Sequence, residues 1–390
     1  MFKKRYIIKS VAEDLREKMV FITGPRQVGK TTLAKDLLAE KFKESIYLNW
    51  DNQSHRKRIM SGKWPANAEL IILDEVHKYR QWKSFLKGEY DVNKKRHKFI
   101  ITGSARLDIF RKGGDSLQGR YHLYRLHPFT LAEMASKSNE IVPFRELPIM
   151  QHKKWEDFEI LEKFGGFPEP LFAQKERTLR RWHNERNERL FREDIRDVEM
   201  IRELGKMKIL SDILPERAST LISVNNLRED LEASHRAVSN WLEILENFFY
   251  HFRIYPYAKT SFRSLKKEPK IYLWDWSQIE DEGRKFENMV ASHLLKMAHW
   301  LHDREGYKIS LCFLRDTDKR EADFLLTVSG KPWLVVEVKL SDEKPSLGLK
   351  YFRKKLDIPF AYQVVRKKGV DYFKDDVRVV SADKFLMSLV

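Results

Sequence analysis

The stretch Gly24-Pro25-Arg26-Gln27-Val28-Gly29-Lys30-Thr31 constrains this chain more than any other. It fits the pattern G-x-x-x-x-G-K-[ST], whose chemistry depends on its surroundings as much as on its letters. Backbone N–H groups can close around a phosphate chain only where glycines clear the way and a helix starts directly after the loop. Both flanks comply. Met19-Val20-Phe21-Ile22-Thr23 reads as a short buried strand, and Thr32 to Leu38 carries apolar residues at helical spacing. A nucleotide-binding α/β domain is predicted. Gly24, Gly29, Lys30, Thr31 and Thr32 are the expected nucleotide contacts, with Lys30 reaching the outer phosphates and the Thr31 hydroxyl placed for Mg²⁺.

Further strands follow. Ser45-Ile46-Tyr47-Leu48-Asn49 is one, and Leu70-Ile71-Ile72-Leu73 is another, ending in Asp74-Glu75. An apolar strand that delivers two carboxylates at its end is the Walker B arrangement. Asp74 would hold Mg²⁺ through water, and Glu75 would orient and deprotonate the attacking water. A fourth strand, Lys98-Phe99-Ile100-Ile101-Thr102, runs into Gly103-Ser104. Ser104 is expected to touch the γ-phosphate or the water; a plain turn serine is the alternative. Arg120 follows Leu117-Gln118-Gly119 and could stabilise transition-state charge in a neighbouring subunit, or simply be a solvated arginine.

These pieces, in this order, resemble the AAA+ P-loop ATPases of a large bacterial and archaeal group. The resemblance rests on Gly24–Thr31, Leu73-Asp74-Glu75-Val76 followed by Trp82 and Lys87, Ile101-Thr102-Gly103-Ser104, and Leu117-Gln118-Gly119-Arg120. It extends through Leu126-His127-Pro128-Phe129-Thr130-Leu131-Ala132-Glu133 and Gly165-Gly166-Phe167-Pro168-Glu169-Pro170. It implies an ATPase fold and ATP as ligand. The second half of the group is a domain of unknown function, which this chain resembles too.

Gly165 to Pro170 is a breaker cluster that opens a helical stretch. From Lys175 to Lys206 the chain is highly charged, with Arg181, Arg186, Arg189, Arg192 and Arg196 among acids. An exposed, salt-bridged helix is expected, compatible with a lid over the nucleotide. Helices around Ile209–Leu214 and Asn226–Leu231 precede a longer one from His235, with Ser234 as its N-cap. This is a helix-turn-helix layout, and Tyr250 to Tyr257 reads as a wing strand. His235, Arg236 and Asn240 could face a DNA groove, although many such units bind only protein. The family resemblance includes a winged-helix-like segment here.

In the last quarter, Glu287 lies on a predicted helix, Asp323 starts a strand, and Glu337-Val338-Lys339 ends another after a turn near Ser329-Gly330. Residues two apart on a strand share a face, so Glu337 and Lys339 point the same way. Asp323 on the next strand could join them. Ordinary strand-edge charges would read the same way. The set resembles the PD-(D/E)XK nuclease fold. That resemblance implies a divalent metal, Mg²⁺ or Mn²⁺, on Glu287, Asp323 and Glu337, with Lys339 positioning water and stabilising charge.

Composition adds limits. Lys and Arg number 74 against 57 Asp and Glu, a net +17, which favours a polyanionic partner and makes DNA the expected one. Cys312 is the only cysteine, so the chain holds no internal disulfide and no multi-cysteine zinc site. The basic start lacks an apolar run behind it, and no run approaches membrane-spanning length. A cytoplasmic protein without a membrane partner is expected, with homo-oligomers as the relatives would suggest. The fold expectation is α/β: a P-loop AAA+ core at 1–135, a helical lid at 136–205, a winged-helix-like segment at 206–275 and a PD-(D/E)XK-like α/β domain at 276–390. Two functions fit: an ATPase that acts on DNA and carries a nuclease, or an ATP-dependent switch that binds DNA or protein without cutting.

Overall fold

The structure is a computed structural model that describes residues 3–103, 117–149, 154–195, 203–258, 267–341 and 344–390. Ser104 lies outside the described residues. The chain forms two compact units, Met1–Pro128 and Phe129–Val390.

The first unit is built on five strands: β1 (Met19–Thr23), β2 (Ser45–Asn49), β3 (Leu70–Asp74), β4 (Lys98–Thr102) and β5 (Tyr121–Arg125). All neighbours are parallel, in the order β2-β3-β4-β1-β5. Parallel strands covered on both faces need near-continuous apolar runs, and β1 and β3 are buried at every position. The helix Trp82–Asn93 buries Trp82, Leu86 and Tyr90, one residue per turn, beside Phe21 and Phe99 of the sheet. Phe21 also stacks on Tyr121, with ring centroids 4.4 Å apart. In the register, Asp74 pairs with Thr102 and Thr102 with Ile22, so the carboxyl ends of β1, β3 and β4 finish together. The connection after β1 leaves from this edge, where ligands bind in open parallel sheets.

The second unit holds an eight-stranded mixed sheet. Its strands are β6 (His251–Pro256), β7 (Lys270–Leu273), β8 (Ile309–Arg315), β9 (Glu321–Val328), β10 (Lys331–Lys339), β11 (Phe360–Val365), β12 (Asp371–Lys374) and β13 (Val377–Ser381). Their order is β12-β13-β11-β10-β9-β8-β6-β7. β9 and β10 form the expected hairpin, turning on Ser329 and Gly330 with φ of 51° and 81°, the left-handed pair that matches strand twist. The predicted helix around Glu287 runs from Glu282 to Glu305, capped by the Asp281 carboxylate and stopped by Gly306 in the left-handed region.

Three helices, Leu204–Ile213, Val224–Asp230 and His235–Asn247, precede β6. The Ser234 side chain accepts from the Ala237 N–H at 3.1 Å, the cap read from the sequence. β6 pairs antiparallel with β7 and parallel with β8, so these two strands share one sheet with β8 to β13. The charged helix covers Glu176–Arg189 and loosens into a wider turn over Leu190–Ile195. Pairs four apart, such as Arg180 with Glu176 and Arg189 with Glu185, line its exposed side. Arg186 departs from that expectation: it is buried, with its guanidinium 4.5 Å from the Phe167 ring centre and beside Asp275. Among the described residues no helix is long and apolar enough to cross a membrane.

Candidate functional site

The loop between β1 and the helix starting at Lys30 needs unusual backbone at two glycines. Gly24 has φ of +145°, and a Cβ there would stand 2.3 Å from the Leu126 carbonyl oxygen. Gly29 sits in the left-handed region at φ 97°, directly before Lys30. Arg5 braces the loop from below: it is buried and donates to the Val28 carbonyl at 2.9 Å and to the His127 carbonyl. Lys30 is buried too. Its ammonium donates to the carbonyls of Gly24 at 2.9 Å and Pro25 at 2.8 Å, within the loop itself. The helix begins at Lys30, with Thr32 as the last residue of its first turn, and widens into a π-type turn over Leu33–Leu38.

Asp74 is the hub of the site. Its Oδ2 accepts from the Thr31 hydroxyl at 3.0 Å and from the Tyr47 hydroxyl at 2.7 Å, and its Oδ1 accepts from the Thr102 hydroxyl at 2.6 Å. Three donors on one nearly buried carboxylate hold it aimed. Burial, helped by Asp74, pushes the Tyr47 phenol up, so it stays a donor. Thr31 and Asp74 place two hard oxygen ligands side by side at the mouth of the loop, a donor set that suits Mg²⁺. Sequence reasoning missed Tyr47 and Thr102. Each was visible only as one polar residue of a short strand with an apolar centre.

Glu75 takes the left-handed region at φ 58°, while its N–H donates to the Thr102 carbonyl at 2.9 Å. Its carboxylate lies 3.7 Å from Lys78 Nζ and 3.6 Å from His77 Nε2. Burial raises its pKa against the pull of Lys30. A carboxylate that holds protons more readily is a better base. Arg120 is placed elsewhere in the unit. It forms a two-pronged pair with Asp91 of the helix Trp82–Asn93, with both partners partly exposed.

In the second unit Glu287, Asp323 and Glu337 act on one another's charge, and after burial Asp323 helps push up both glutamates. Lys270 of β7, which the expectation did not include, lies among the acids, its Nζ 2.5 Å from Glu321, 3.4 Å from Glu287 and 3.7 Å from Asp323. Glu287 also accepts from the Tyr272 hydroxyl at 2.8 Å, and Asp323 accepts the Val338 N–H at 2.9 Å. Glu337 is buried and pairs with Lys339 at 2.8 Å, as two residues on one strand face should. Among the described residues no group of three or more His, Cys, Asp or Glu side chains is arranged to hold a metal ion. Burial alone would depress the Lys270 ammonium, but Glu287, Asp323 and Glu321 hold it charged. Burial, with Asp323 adding, pushes Glu287 up to about 8 against the pull of Lys270. Lys270 and Glu321 gave no signal in the sequence beyond a charged stretch. In the middle helices, His235, Arg236 and Asn240 are all exposed on one short N-terminal stretch of the helix His235–Asn247.

Residues 16–135 match the family model described as an AAA domain. Residues 156–278 and 282–385 match two domains of unknown function, DUF8612 and DUF4143. An uncharacterized protein of Methanocaldococcus jannaschii is 23% identical over 360 residues, spanning 86% of this chain and 78% of its own length. An uncharacterized protein of Mycobacterium tuberculosis is 22% identical over 386 residues, spanning 95% of this chain and 81% of its own. Among solved structures, the Holliday junction branch migration motor RuvB of Thermotoga maritima is 15% identical, covering 65% of this chain and 90% of its own, with a TM-score of 0.33. Agreement that loose fixes neither domain arrangement nor activity. The family match over residues 16–135, joined to the P-loop pattern and the five-stranded parallel sheet, makes the first part of this chain a P-loop domain of the AAA type.

Proposed function

We propose that the chain binds and hydrolyses ATP with Mg²⁺ and uses the nucleotide state to switch the activity of its second unit on DNA. The observation that carries this reading is the contact between the Thr31 hydroxyl and Asp74 at the P-loop mouth. The Gly24–Thr31 loop would receive the phosphates, with Lys30 turning from the Gly24 and Pro25 carbonyls to the outer phosphates. Thr31 and, through water, Asp74 would hold Mg²⁺, which supplies charge neutralisation between the phosphates. Glu75 takes the proton of the attacking water, and Ser104 or Arg120 serves the γ-phosphate, Arg120 from a neighbouring copy in a homo-oligomer.

The DNA reading rests on the +17 balance and on exposed His235, Arg236 and Asn240 at the start of a capped helix. In this reading residues 136–205 act as a lid, 206–275 as a winged-helix-like contact and 276–390 as a nuclease-like module that does not cut. The non-cleaving form is favoured because Lys270 sits among the acids that a metal would need. Cleavage would require Mg²⁺ or Mn²⁺ to displace Lys270 from Glu287 and Asp323, with Glu337 and Lys339 completing the set.

The test is steady-state ATP turnover together with nucleotide binding. Lys30→Ala should weaken binding. Glu75→Gln should keep binding and lower turnover by roughly a hundredfold or more, since only the base is lost. Wild-type turnover in Glu75→Gln would overturn the assignment. For the DNA part, affinity should fall steeply with salt and drop on Arg236→Ala. Failure to bind duplex or single-stranded DNA at low salt would leave protein as the partner.

A further inference from the structure

We infer that Lys270 is the built-in cation of the C-terminal carboxylate cluster and closes it to divalent metal. Three acids from two elements converge here: Glu287 from the helix Glu282–Glu305, and Glu321 and Asp323 from the start of β9. Carboxylates brought together out of water repel one another unless a positive charge lies among them. The Lys270 ammonium meets that need. It is within 3.7 Å of all three acids, and its side chain is 6% exposed. Its Nζ also lies 5.7 Å from the centre of the Phe313 ring, which walls the group on another side. β7 pairs with β6 at Ile254–Lys270, so the backbone that carries the ammonium is held in the sheet.

A divalent ion would have to share these acids with an ammonium already at contact distance. Two cations in one cluster repel, so the metal competes with a tethered charge whose effective concentration is high. The neighbouring Glu337 pairs through one oxygen with Lys339 at 2.8 Å, which places a second ammonium beside the acids. Glu321 is fixed as well. A Cβ on Gly348 would stand 2.3 Å from the Glu321 carbonyl oxygen, so the helix Leu347–Lys355 packs directly on that residue. This inference does not depend on the ATPase reading.

Mn²⁺ titration of the full chain, read by calorimetry and by melting temperature, tests it. Nucleotide is left out, so the Thr31–Asp74 site contributes little, and an Asp74→Asn background removes that contribution. Wild-type protein should show no Mn²⁺-dependent shift assignable to the second unit. Lys270→Met, which keeps the length and removes the charge, should melt lower without metal. It should then gain an Mn²⁺-dependent rise on the order of 5 °C, abolished by Asp323→Asn. If Lys270→Met does not fold, Lys270→Met with Glu321→Gln lowers the repulsion and is titrated in its place. Wild-type binding of Mn²⁺ that Asp323→Asn removes would overturn the inference. So would a folded Lys270→Met protein that neither loses stability nor responds to the metal.

Discussion

Arg120 holds Asp91 with two parallel bonds, Nε to Oδ1 at 2.8 Å and Nη2 to Oδ2 at 3.0 Å. The guanidinium therefore has a partner within its own domain. To serve a neighbouring copy it must leave Asp91, and partial exposure of both groups makes that exchange cheap. Asp91→Asn should then leave the melting temperature nearly unchanged and free Arg120 for the neighbour. Mixtures of Arg120→Ala and Glu75→Gln proteins should recover part of the ATP turnover that each lacks alone. Absence of recovery, with a monomer by light scattering, would make Arg120 a clamp on the helix Trp82–Asn93.

Gly24 offers a sharper structural test. Its φ of +145° and the 2.3 Å approach of a Cβ to the Leu126 oxygen leave Gly24→Ala no easy relaxation, because the obstacle is backbone. The substitution should cost roughly 2–3 kcal/mol and weaken nucleotide binding by displacing the loop. Gly88 is the control. It lies in the helix Trp82–Asn93 with nothing within 4 Å of its would-be Cβ, so Gly88→Ala should stabilise by about 0.5–1 kcal/mol. Chemical denaturation of the two variants decides the comparison.

Thr102 and Tyr47 should matter through Asp74. Thr102→Val keeps the volume but removes the 2.6 Å donor from a buried carboxylate, a loss of about 2 kcal/mol in stability. Tyr47→Phe removes the 2.7 Å donor at a more open position and should cost less. Both should lower ATP turnover, because Asp74 would be less firmly aimed beside Thr31. A Thr102→Val protein with wild-type stability and turnover would show that Asp74 needs no support from β4.

The first unit was open to reading because its signals are local. A buried parallel strand is a run of apolar residues, and the phosphate loop is eight consecutive positions, so β1, β3, β4 and the Gly24–Thr31 loop could each be placed without knowing their neighbours. Thr102 and Tyr47 were hidden because their role depends on register across the sheet, which no single strand carries. The same limit explains the C-terminal site. Glu287, Asp323, Glu337 and Lys339 stand at recognisable spacings, but the residue that lies beside Glu287 and Asp323, Lys270, comes from a separate strand in a charged stretch. Only the pairing of β7 with β6, and of β6 with β8, brings it near them. Arg186 shows the reverse case: its neighbours in sequence are exposed and charged, and only the Phe167 ring and Asp275 reveal that it turns inward.

Two buried histidines set a pH dependence for the second unit. His293 Nδ1 lies 2.7 Å from the Met289 carbonyl and must donate, while Nε2 lies 3.3 Å from the Leu131 N–H and must accept. The ring is thus neutral in one tautomer, and burial lowers its pKa to about 3. His251 donates from Nε2 to the Leu242 carbonyl at 3.0 Å, its Nδ1 has no hydrogen-bond partner among the described residues, and burial lowers its pKa to about 4. Both folded values lie below the unfolded value of about 6.5, so the unfolded chain binds more protons between them. Stability from these groups is complete above pH 6.5 and is lost as pH falls toward 4 and 3. Each residue contributes a slope of up to about 1.4 kcal/mol per pH unit in that window. Protonating His293 would also turn its acceptor for Leu131 into a second donor facing that N–H. Denaturation followed from pH 7.5 to 4.5 should show stability falling on the acid side. His293→Gln, whatever it costs at pH 7.5, should reduce the slope below pH 6.5 by about 1.4 kcal/mol per unit. An unchanged slope in that variant would mean that His293 already carries its proton in the folded protein.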